Sequence, residues 1–176
     1  MKLIAKITDE DIGEEIVEMK EPIYRKAARG IVLDEQGNMA VFYKENKNMY
    51  KLPGGGLEEN ESFEEAFIRE IKEEVGCKVE IIKCLGYTEE YKTKSNYMQT
   101  SFVFLGRVIK KLDNLSLTDM EEAEGGKRLW MKPEEALEKM KENYDKLLAS
   151  EYTSLYSTKI VAKRDIKILE EYLKVR

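Results

Sequence analysis

The sequence contains no histidine, and this removes several common routes to catalysis. Histidine is the usual general base near neutral pH, a member of the Ser-His-Asp triad and a frequent zinc ligand. If the protein is an enzyme, its chemistry must come from carboxylates, lysine, tyrosine, cysteine or bound metal ions. The chain has 35 Asp and Glu residues, so carboxylates are the first candidates.

An excess of basic residues is also missing, because the formal net charge is -5. A general nucleic-acid binder is expected to carry a basic face. We therefore expect no nucleic-acid polymer as a partner. The negative charge does not exclude a small anionic substrate that is held through metal ions.

Cysteines and long apolar runs are scarce. The two cysteines, Cys77 and Cys84, form no CxxC motif, which favours reduced thiols and a cytoplasmic protein over a disulfide. The N-terminal apolar stretch is too short for a signal peptide. No run approaches the length of a membrane span, so we expect no membrane association.

The length of 176 residues favours a single domain over 1–176, in which 1–21 supplies a strand and an acidic connector. Pro53 and Gly54–Gly56 are predicted to stop a strand and form a flexible bend, and 111–127 is predicted to be a polar loop. The pattern predicts an α/β fold with a mixed sheet. Predicted strands are 2–8, 24–34, 38–45, 49–53, 78–92, 96–110 and 128–131, and predicted helices are 62–76, 133–148 and 157–176.

Eight glutamates lie between Gly54 and Val79, around a predicted helix with an apolar stripe. Glu70, Glu73 and Glu74 stand at positions i, i+3 and i+4, so their side chains converge. Glu70 and Glu74 also border the face that the stripe must bury. Arg69 is placed on the opposite, solvent-facing side of this helix.

Converging carboxylates repel one another, and their pKa values rise unless a positive charge compensates. Mg²⁺ suits this arrangement because it takes oxygen ligands and retains positions for water and substrate phosphates. The glycines at 54–56 expose backbone that could bring a carbonyl to the same ion. The residues thus indicate a metal and phosphate site, although glutamate-rich helices are usually solvated faces, and that alternative stays open.

The spacing of these residues is more specific than their composition. The chain matches the pattern G-x(5)-E-x(7)-R-E-U-x-E-E-x-G-U, where U is an apolar residue, at Gly55, Glu61, Arg69, Glu70, Ile71, Glu73, Glu74, Gly76 and Cys77. This resembles the Nudix box of the Nudix hydrolase family, and of its MutT-like members. Cys77 replaces the usual aliphatic residue, and cysteine behaves as a small apolar side chain.

The resemblance implies an α/β/α sandwich with a mixed sheet, in which the box at 55–77 forms a loop-helix-loop. It implies hydrolysis of a diphosphate linkage in a nucleoside diphosphate-linked compound, with Mg²⁺ or Mn²⁺. The implied metal ligands are Glu70, Glu73, Glu74 and the Gly55 carbonyl. Arg69 and Glu61 are implied to orient the acids through charge-assisted hydrogen bonds.

Family members often take a further glutamate from a distant loop as a base or an extra ligand. Glu121, Glu122 and Glu124 are the candidates here. Glu124 is favoured, because it lies six residues before Trp130 and precedes Gly125, a spacing similar to that of MutT-like members. The alternative is a solvated acidic turn.

The second moiety of the substrate is less defined. Arginine and aromatic side chains on predicted strands can bind phosphate or stack on a base, although each is more often a core or surface residue: Arg25, Arg29, Tyr43, Tyr50, Tyr91, Tyr97 and Phe102. Signatures of NADH-type, ADP-ribose-type and diadenosine-polyphosphate members are missing, which favours a nucleoside triphosphate pyrophosphohydrolase. The alternatives are an ADP-sugar pyrophosphatase, a non-catalytic nucleotide sensor and an interaction protein. A homodimer is left open.

Overall fold

The computed structural model describes residues 1–112 and 114–176. Asp113, which belongs to the predicted polar loop, lies outside them. The described part of the chain forms a mixed eight-stranded sheet with helices on both faces. The strands are β1 (Leu3–Ile7), β2 (Ile23–Leu33), β3 (Met39–Lys44), β4 (Met49–Lys51), β5 (Gly54–Gly56), β6 (Cys77–Lys92), β7 (Tyr97–Lys111) and β8 (Gly126–Met131). The α-helices are α1 (Phe63–Glu70), α2 (Asp119–Ala123), α3 (Pro133–Asn143) and α4 (Leu155–Val175).

The sheet runs in the order β1-β6-β7-β2-β3-β4, with β5 paired to β2 and β8 paired to β3. The pairs β1–β6 and β2–β7 are parallel, and the remaining pairs are antiparallel. This confirms the predicted mixed sheet. β2 is the central strand, because β7 extends along its whole length while β5 and β3 share its other edge.

Two apolar cores flank the sheet and define the three layers. Ala28 and Val32 of β2 pack with Phe67 of α1 on one face. Ile31, which points to the opposite face as strand alternation requires, packs with Ile166 of α4. The α/β/α sandwich is therefore confirmed. None of the helices in the described ranges is long and apolar enough to cross a membrane.

Both ends of the chain pack on this sandwich. β1 adds a parallel strand beside β6. Asp9, which follows β1 and is fully buried, accepts hydrogen bonds from the Tyr156 hydroxyl of α4 and from Thr93 at 2.8 Å. These contacts fix the first turn of α4 against the segments that follow β1 and β6.

The structure corrects three local predictions. Gly54–Gly56 is a short strand paired with β2 and not a flexible bend. The helix that begins after Ser62 is α-helical only to Glu70 and continues as a π-helix over Ile71–Val75. The predicted polar loop contains the short helix α2, which Thr118 caps through its side chain.

Candidate active site

The glycines of β5 bring the backbone unusually close to its neighbours, and this explains why a strand forms there. A Cβ atom at Gly54 would lie 2.3 Å from the carbonyl oxygen of Ala28, and one at Gly55 would lie 2.3 Å from Oε1 of Glu70. Only glycine allows such an approach. β5 thus fits between β2 and the carboxylates of the helix.

The helix that carries the acids has clear start and stop signals. Ser62 accepts a hydrogen bond from the Glu65 N–H, and Glu65 bonds back to Ser62, which forms a capping box. Gly76 ends the π-helix with φ of 63°, a left-handed conformation that glycine adopts without strain. π-helical turns are frequent at functional sites, and this one carries Glu73 and Glu74.

Glu74 is the most buried of the box acids, with 1% of its side chain exposed. Its carboxylate accepts a hydrogen bond from the Gly54 N–H at 2.7 Å and pairs with Lys51 Nζ at 2.7 Å. The pKa of Glu74 is raised to about 7, chiefly by burial and to a lesser extent by the neighbouring charge of Glu70, while Lys51 opposes the rise. Glu74 is therefore anchored to the strand β5 that precedes the helix.

Arg69 lies at the centre of the remaining acids. Its guanidinium makes a two-pronged contact with Glu61 at 2.8 and 2.9 Å and donates to the Gly56 carbonyl at 2.9 Å. It also contacts Glu70 at 2.9 Å and Glu73 at 3.2 Å. The expectation that Arg69 faces solvent is wrong, because this network draws its side chain, 22% exposed, over the site. Hydrogen bonding to Glu61 is the largest factor that raises the pKa of Arg69, so it stays charged.

The acids differ in accessibility. The side chain of Glu70 is 12% exposed and that of Glu73 is 35% exposed, while burial raises the pKa of Glu73. In the two described ranges, no three acidic side chains converge closely enough to form a ready-made cation site, since Lys51 and Arg69 engage these carboxylates. The donor set nevertheless suits a hard divalent cation, because it consists of oxygen atoms beside exposed glycine backbone.

The structure does not bring Glu124 to the other acids. Glu124 is 1% exposed, and its carboxylate contacts Lys44 Nζ at 2.5 Å, Lys47 Nζ at 3.5 Å and the Ser150 hydroxyl at 2.5 Å. Glu121, one turn earlier, lines the central cavity together with Glu74. Sequence spacing alone could not separate the two glutamates, since α2 was not predicted.

A cavity of about 610 Å³ opens above β5 and the box acids. Three of the predicted second-moiety residues line it, namely Arg25, Arg29 and Tyr97. The other four contact protein groups elsewhere: Tyr43 and Tyr50 pack together, Phe102 stacks on Phe63, and Tyr91 bonds to Glu89. Sequence reasoning missed five basic residues in the lining, because they come from strands and a helix that are distant in sequence: Lys44, Lys47, Lys51, Lys92 and Arg164.

Comparison with known proteins identifies the family of the chain. The model of the NUDIX domain matches residues 23–150. A MutT-like protein of Streptomyces ambofaciens is 28% identical over 123 residues, which cover 70% of this chain and 73% of that protein. An 8-oxo-dGTP diphosphatase of Proteus vulgaris is 33% identical over 61 residues, covering 32% of this chain and 53% of that protein. A solved NUDIX hydrolase from Nitrosomonas europaea shares the fold with a TM-score of 0.56 at 17% identity, covering 85% of this chain and 88% of that one.

The domain match and the relatives that are named as hydrolases indicate a hydrolase of phosphorus anhydrides. Because the domain match extends over well more than half of the chain, this protein belongs to the Nudix family and is a Nudix pyrophosphohydrolase. Hydrolases of this family act on nucleoside diphosphate derivatives and generally use divalent metal ions.

Proposed function

We propose that the protein hydrolyses the diphosphate linkage of nucleoside triphosphates with Mg²⁺ (or Mn²⁺). The observation that carries the proposal is the complete set of box acids, gathered around the glycine strand β5 by Arg69 and Lys51. The similarity to a MutT-like protein and to a diphosphatase that is named for a nucleoside triphosphate supports this substrate. An ADP-sugar is the alternative, because both substrates present a diphosphate to the same acids.

Glu70, Glu73, Glu74 and the Gly55 carbonyl are the groups that would hold the metal ion. A divalent ion supplies charge neutralisation at the diphosphate and lowers the pKa of the attacking water. Lys51 forms an ion pair with the Glu74 carboxylate and also lines the cavity. Its ammonium group is therefore placed to contact a substrate phosphate.

Glu61 and Arg69 serve to position these acids. Their two parallel hydrogen bonds form a rigid fork, which lysine could not reproduce. The fork fixes the rotamer of Arg69, and Arg69 in turn aims Glu70 and Glu73 at the cavity. The helix geometry alone would not hold three like charges together.

We assign the role of proton acceptor to Glu121 in place of Glu124. Glu121 lies in the cavity lining next to Glu74. Burial alone would raise its pKa, but hydrogen bonds from Thr118 and the charge of Lys51 lower it overall, so the carboxylate is ionised and able to take a proton from water. Glu124 is already satisfied by two lysines, which leaves it a structural role.

We also propose that the functional domain spans 1–176 and that it works in the cytoplasm. α4, beyond the matched residues 23–150, contributes Arg164 to the cavity, and β1 extends the sheet. The free thiols of Cys77 and Cys84 favour a reducing compartment. The homodimer remains a prediction that a measurement of molar mass in solution would test.

The test is product analysis after incubation with a panel of nucleoside triphosphates, ADP-sugars and dinucleotides, with Mg²⁺ and with Mn²⁺. From each nucleoside triphosphate and one water we expect a nucleoside monophosphate and inorganic pyrophosphate, in a metal-dependent reaction. Preferential cleavage of ADP-sugars would establish the alternative. Binding of these compounds without cleavage, with either ion, would contradict the proposed activity and indicate a nucleotide sensor.

A further inference from the structure

The cavity is basic although the chain as a whole is acidic. Its lining contains eight basic residues against five acidic ones, in a protein of net charge -5. The five acids are Glu58, Glu70, Glu73, Glu74 and Glu121. They lie on or near the box, so the cavity has an acidic end and a basic wall. We call the wall formed by Arg29, Lys44, Lys47, Lys92 and Arg164 the basic wall.

Fewer carboxylates than cations surround the basic wall. Lys44 and Lys47 share the single carboxylate of Glu124. Arg29, Lys92 and Arg164 face Glu90 and Asp165, with Arg164 bonded to both acids at 2.7 and 2.8 Å and Lys92 3.7 Å from Glu90. Four of the five cations thus pair directly with three carboxylates and Arg29 pairs with none in the part of the chain that the structure describes, so the wall retains positive charge that an anion could neutralise.

Among the residues of the basic wall, Arg29 has the fewest polar partners. It is 4% exposed, and its Nε has no hydrogen-bond partner. Within residues 1–112 and 114–176 it also forms no salt bridge shorter than 4.0 Å, although its side chain lines the cavity. Burial and then the neighbouring Arg164 lower the pKa of Arg29 to about 10, so it remains protonated at neutral pH. A buried guanidinium without a partner is costly and points to a missing anion.

The position of Arg29 relates this charge to the box acids. Arg29 pairs with Gly54 in the β2–β5 ladder, and the Gly54 N–H donates to Glu74. Paired residues on antiparallel strands have Cα atoms about 5 Å apart. Arg29 and Glu74 therefore lie beside the same glycine. Their separation suits contacts with neighbouring groups of one extended substrate.

Aromatic stacking is a weaker alternative for this wall. Tyr97 is the single aromatic residue of the cavity lining in the described ranges. Lys92 Nζ lies 5.2 Å from the centre of its ring, and its hydroxyl donates to Gln99 at 3.0 Å. A ring that is already covered by an ammonium group offers little surface to a base.

From these observations we infer that the basic wall is a subsite for a substrate phosphate that lies beyond the linkage being cleaved, with Arg29 as its principal contact. The inference rests on the proposed function and adds a substrate class to it. Substrates carry a third, non-reacting phosphate in addition to the diphosphate. This phosphate is either the terminal group of a triphosphate or a phosphate on the sugar of the second moiety.

The first experiment measures the binding of inorganic phosphate and tripolyphosphate by calorimetry without divalent metal, so that it does not depend on turnover. Arg29→Gln is expected to weaken binding at least tenfold. Arg107→Gln is the matched control, since Arg107 is exposed on the neighbouring strand β7 and outside the cavity. Glu70→Gln is expected to bind these anions at least as tightly as the wild type.

Two further variants keep the test decisive if Arg29→Gln fails to fold. Arg29→Lys retains the charge and is expected to retain most of the binding. Lys92→Gln removes another cation of the basic wall, and a lesser loss of binding is expected. Thermal melting without ligand checks that each variant is folded.

The second experiment identifies the source of the phosphate. Hydrolysis of GTP is compared with that of GDP, and hydrolysis of ADP-ribose with that of ADP-ribose 2′-phosphate, in the wild type and in Arg29→Gln. We expect the wild type to prefer the more phosphorylated member of one pair at least tenfold. The pair that shows this preference identifies the source of the bound phosphate. Arg29→Gln should abolish the preference.

The results distinguish failure of the subsite, of the proposed function and of the substrate class. Equal anion binding by the wild type and a folded Arg29→Gln, or none by the wild type, would overturn the subsite. Anion binding that depends on Arg29 without hydrolysis of any compound would overturn the proposed function and leave the subsite standing. Hydrolysis with no preference in either pair would refute the substrate class.

Discussion

At the scale of single residues, Arg69 does the most to arrange the candidate site. It donates hydrogen bonds to the side chains of three acids and to one backbone carbonyl, and these four groups come from β5, the loop after it, the α-helix and the π-helix. A planar guanidinium can serve several acceptors in fixed directions, whereas an ammonium group acts as a compact point charge. The geometry of Arg69, beyond its charge, is therefore expected to matter.

Arg69→Lys is predicted to lower kcat/KM by about 10- to 100-fold, the range typical of residues that orient metal ligands. The concentration of Mg²⁺ needed for half-maximal activity should rise at the same time, because Glu70 and Glu73 lose their fixed positions. Steady-state kinetics across a Mg²⁺ series measures both effects. Lys72→Gln, an exposed change three residues along the helix, is the control. An unchanged Mg²⁺ requirement in Arg69→Lys would show that charge alone suffices.

Glu121 and Glu124 are predicted to separate activity from stability. Glu121→Gln should reduce kcat by about 100-fold, the usual scale for a lost general base, and leave the unfolding midpoint nearly unchanged. Glu124→Gln should lower the free energy of unfolding by about 3 kcal/mol, because Lys44 and Lys47 would remain buried without a carboxylate. Kinetics and urea unfolding of both variants check this assignment, and the reverse pattern would restore Glu124 as the base.

At the scale of elements, β5 joins the sheet to the acids of the helix. Its three glycines pair with Ala27–Arg29 of β2. The sequence predicted the glycines as a bend because runs of glycine normally interrupt strands. Tertiary contacts make this segment a strand instead, since the lack of side chains lets the acids and β2 approach it from both sides.

Substitutions in β5 should therefore differ according to what surrounds each glycine. Gly54→Ala is predicted to lower the free energy of unfolding by at least about 2 kcal/mol, because its φ is 135° and its Cβ would meet the backbone of Ala28 and Arg29. In Gly56→Ala the atoms nearest to the new Cβ belong to the flexible end of the exposed Arg25 side chain, which can move aside, so the loss should be smaller. Urea unfolding of both variants compares them, and equal losses would argue against a packed β5.

At the scale of the whole molecule, most of the fold could be predicted from periodic and local patterns in the sequence. The long strands β6 and β7, the capped helix after Ser62 and the terminal helix α4 were predictable because alternation, capping residues and amphipathic spacing are local properties. The box acids were predictable from their spacing and the resemblance. The π-helix, the place of Glu124 and the basic wall were not, because each depends on contacts between segments that are far apart in sequence.

The buried ionic cluster next to Arg29 makes a prediction about pH. Burial alone would raise the pKa of Glu90, but Arg164, Lys92 and Arg29 together lower it to about 2, below the ordinary value of 4.5. A carboxylate whose pKa is lower in the folded state contributes stability above its ordinary pKa. That contribution is lost as the pH falls from about 4.5 towards 2.

The difference in free energy of unfolding between the wild type and Glu90→Gln should accordingly be largest above pH 4.5 and shrink below it. Urea unfolding at a series of pH values measures it. Glu80→Gln, an exposed change on the same strand, should show no such trend. A difference that is constant with pH would mean that Glu90 contributes packing and not charge.

The central claim is that this chain hydrolyses nucleotides with a metal ion held by its box acids. The most direct measurement is Mg²⁺-dependent turnover of nucleoside triphosphates by Glu74→Gln beside Glu64→Gln, an exposed glutamine substitution on the same helix. Glu74→Gln is predicted to lose at least about 100-fold in kcat/KM, since a lost ligand removes several kcal/mol of transition-state stabilisation, while Glu64→Gln retains wild-type activity. Equal activity of the two folded variants would contradict the claim.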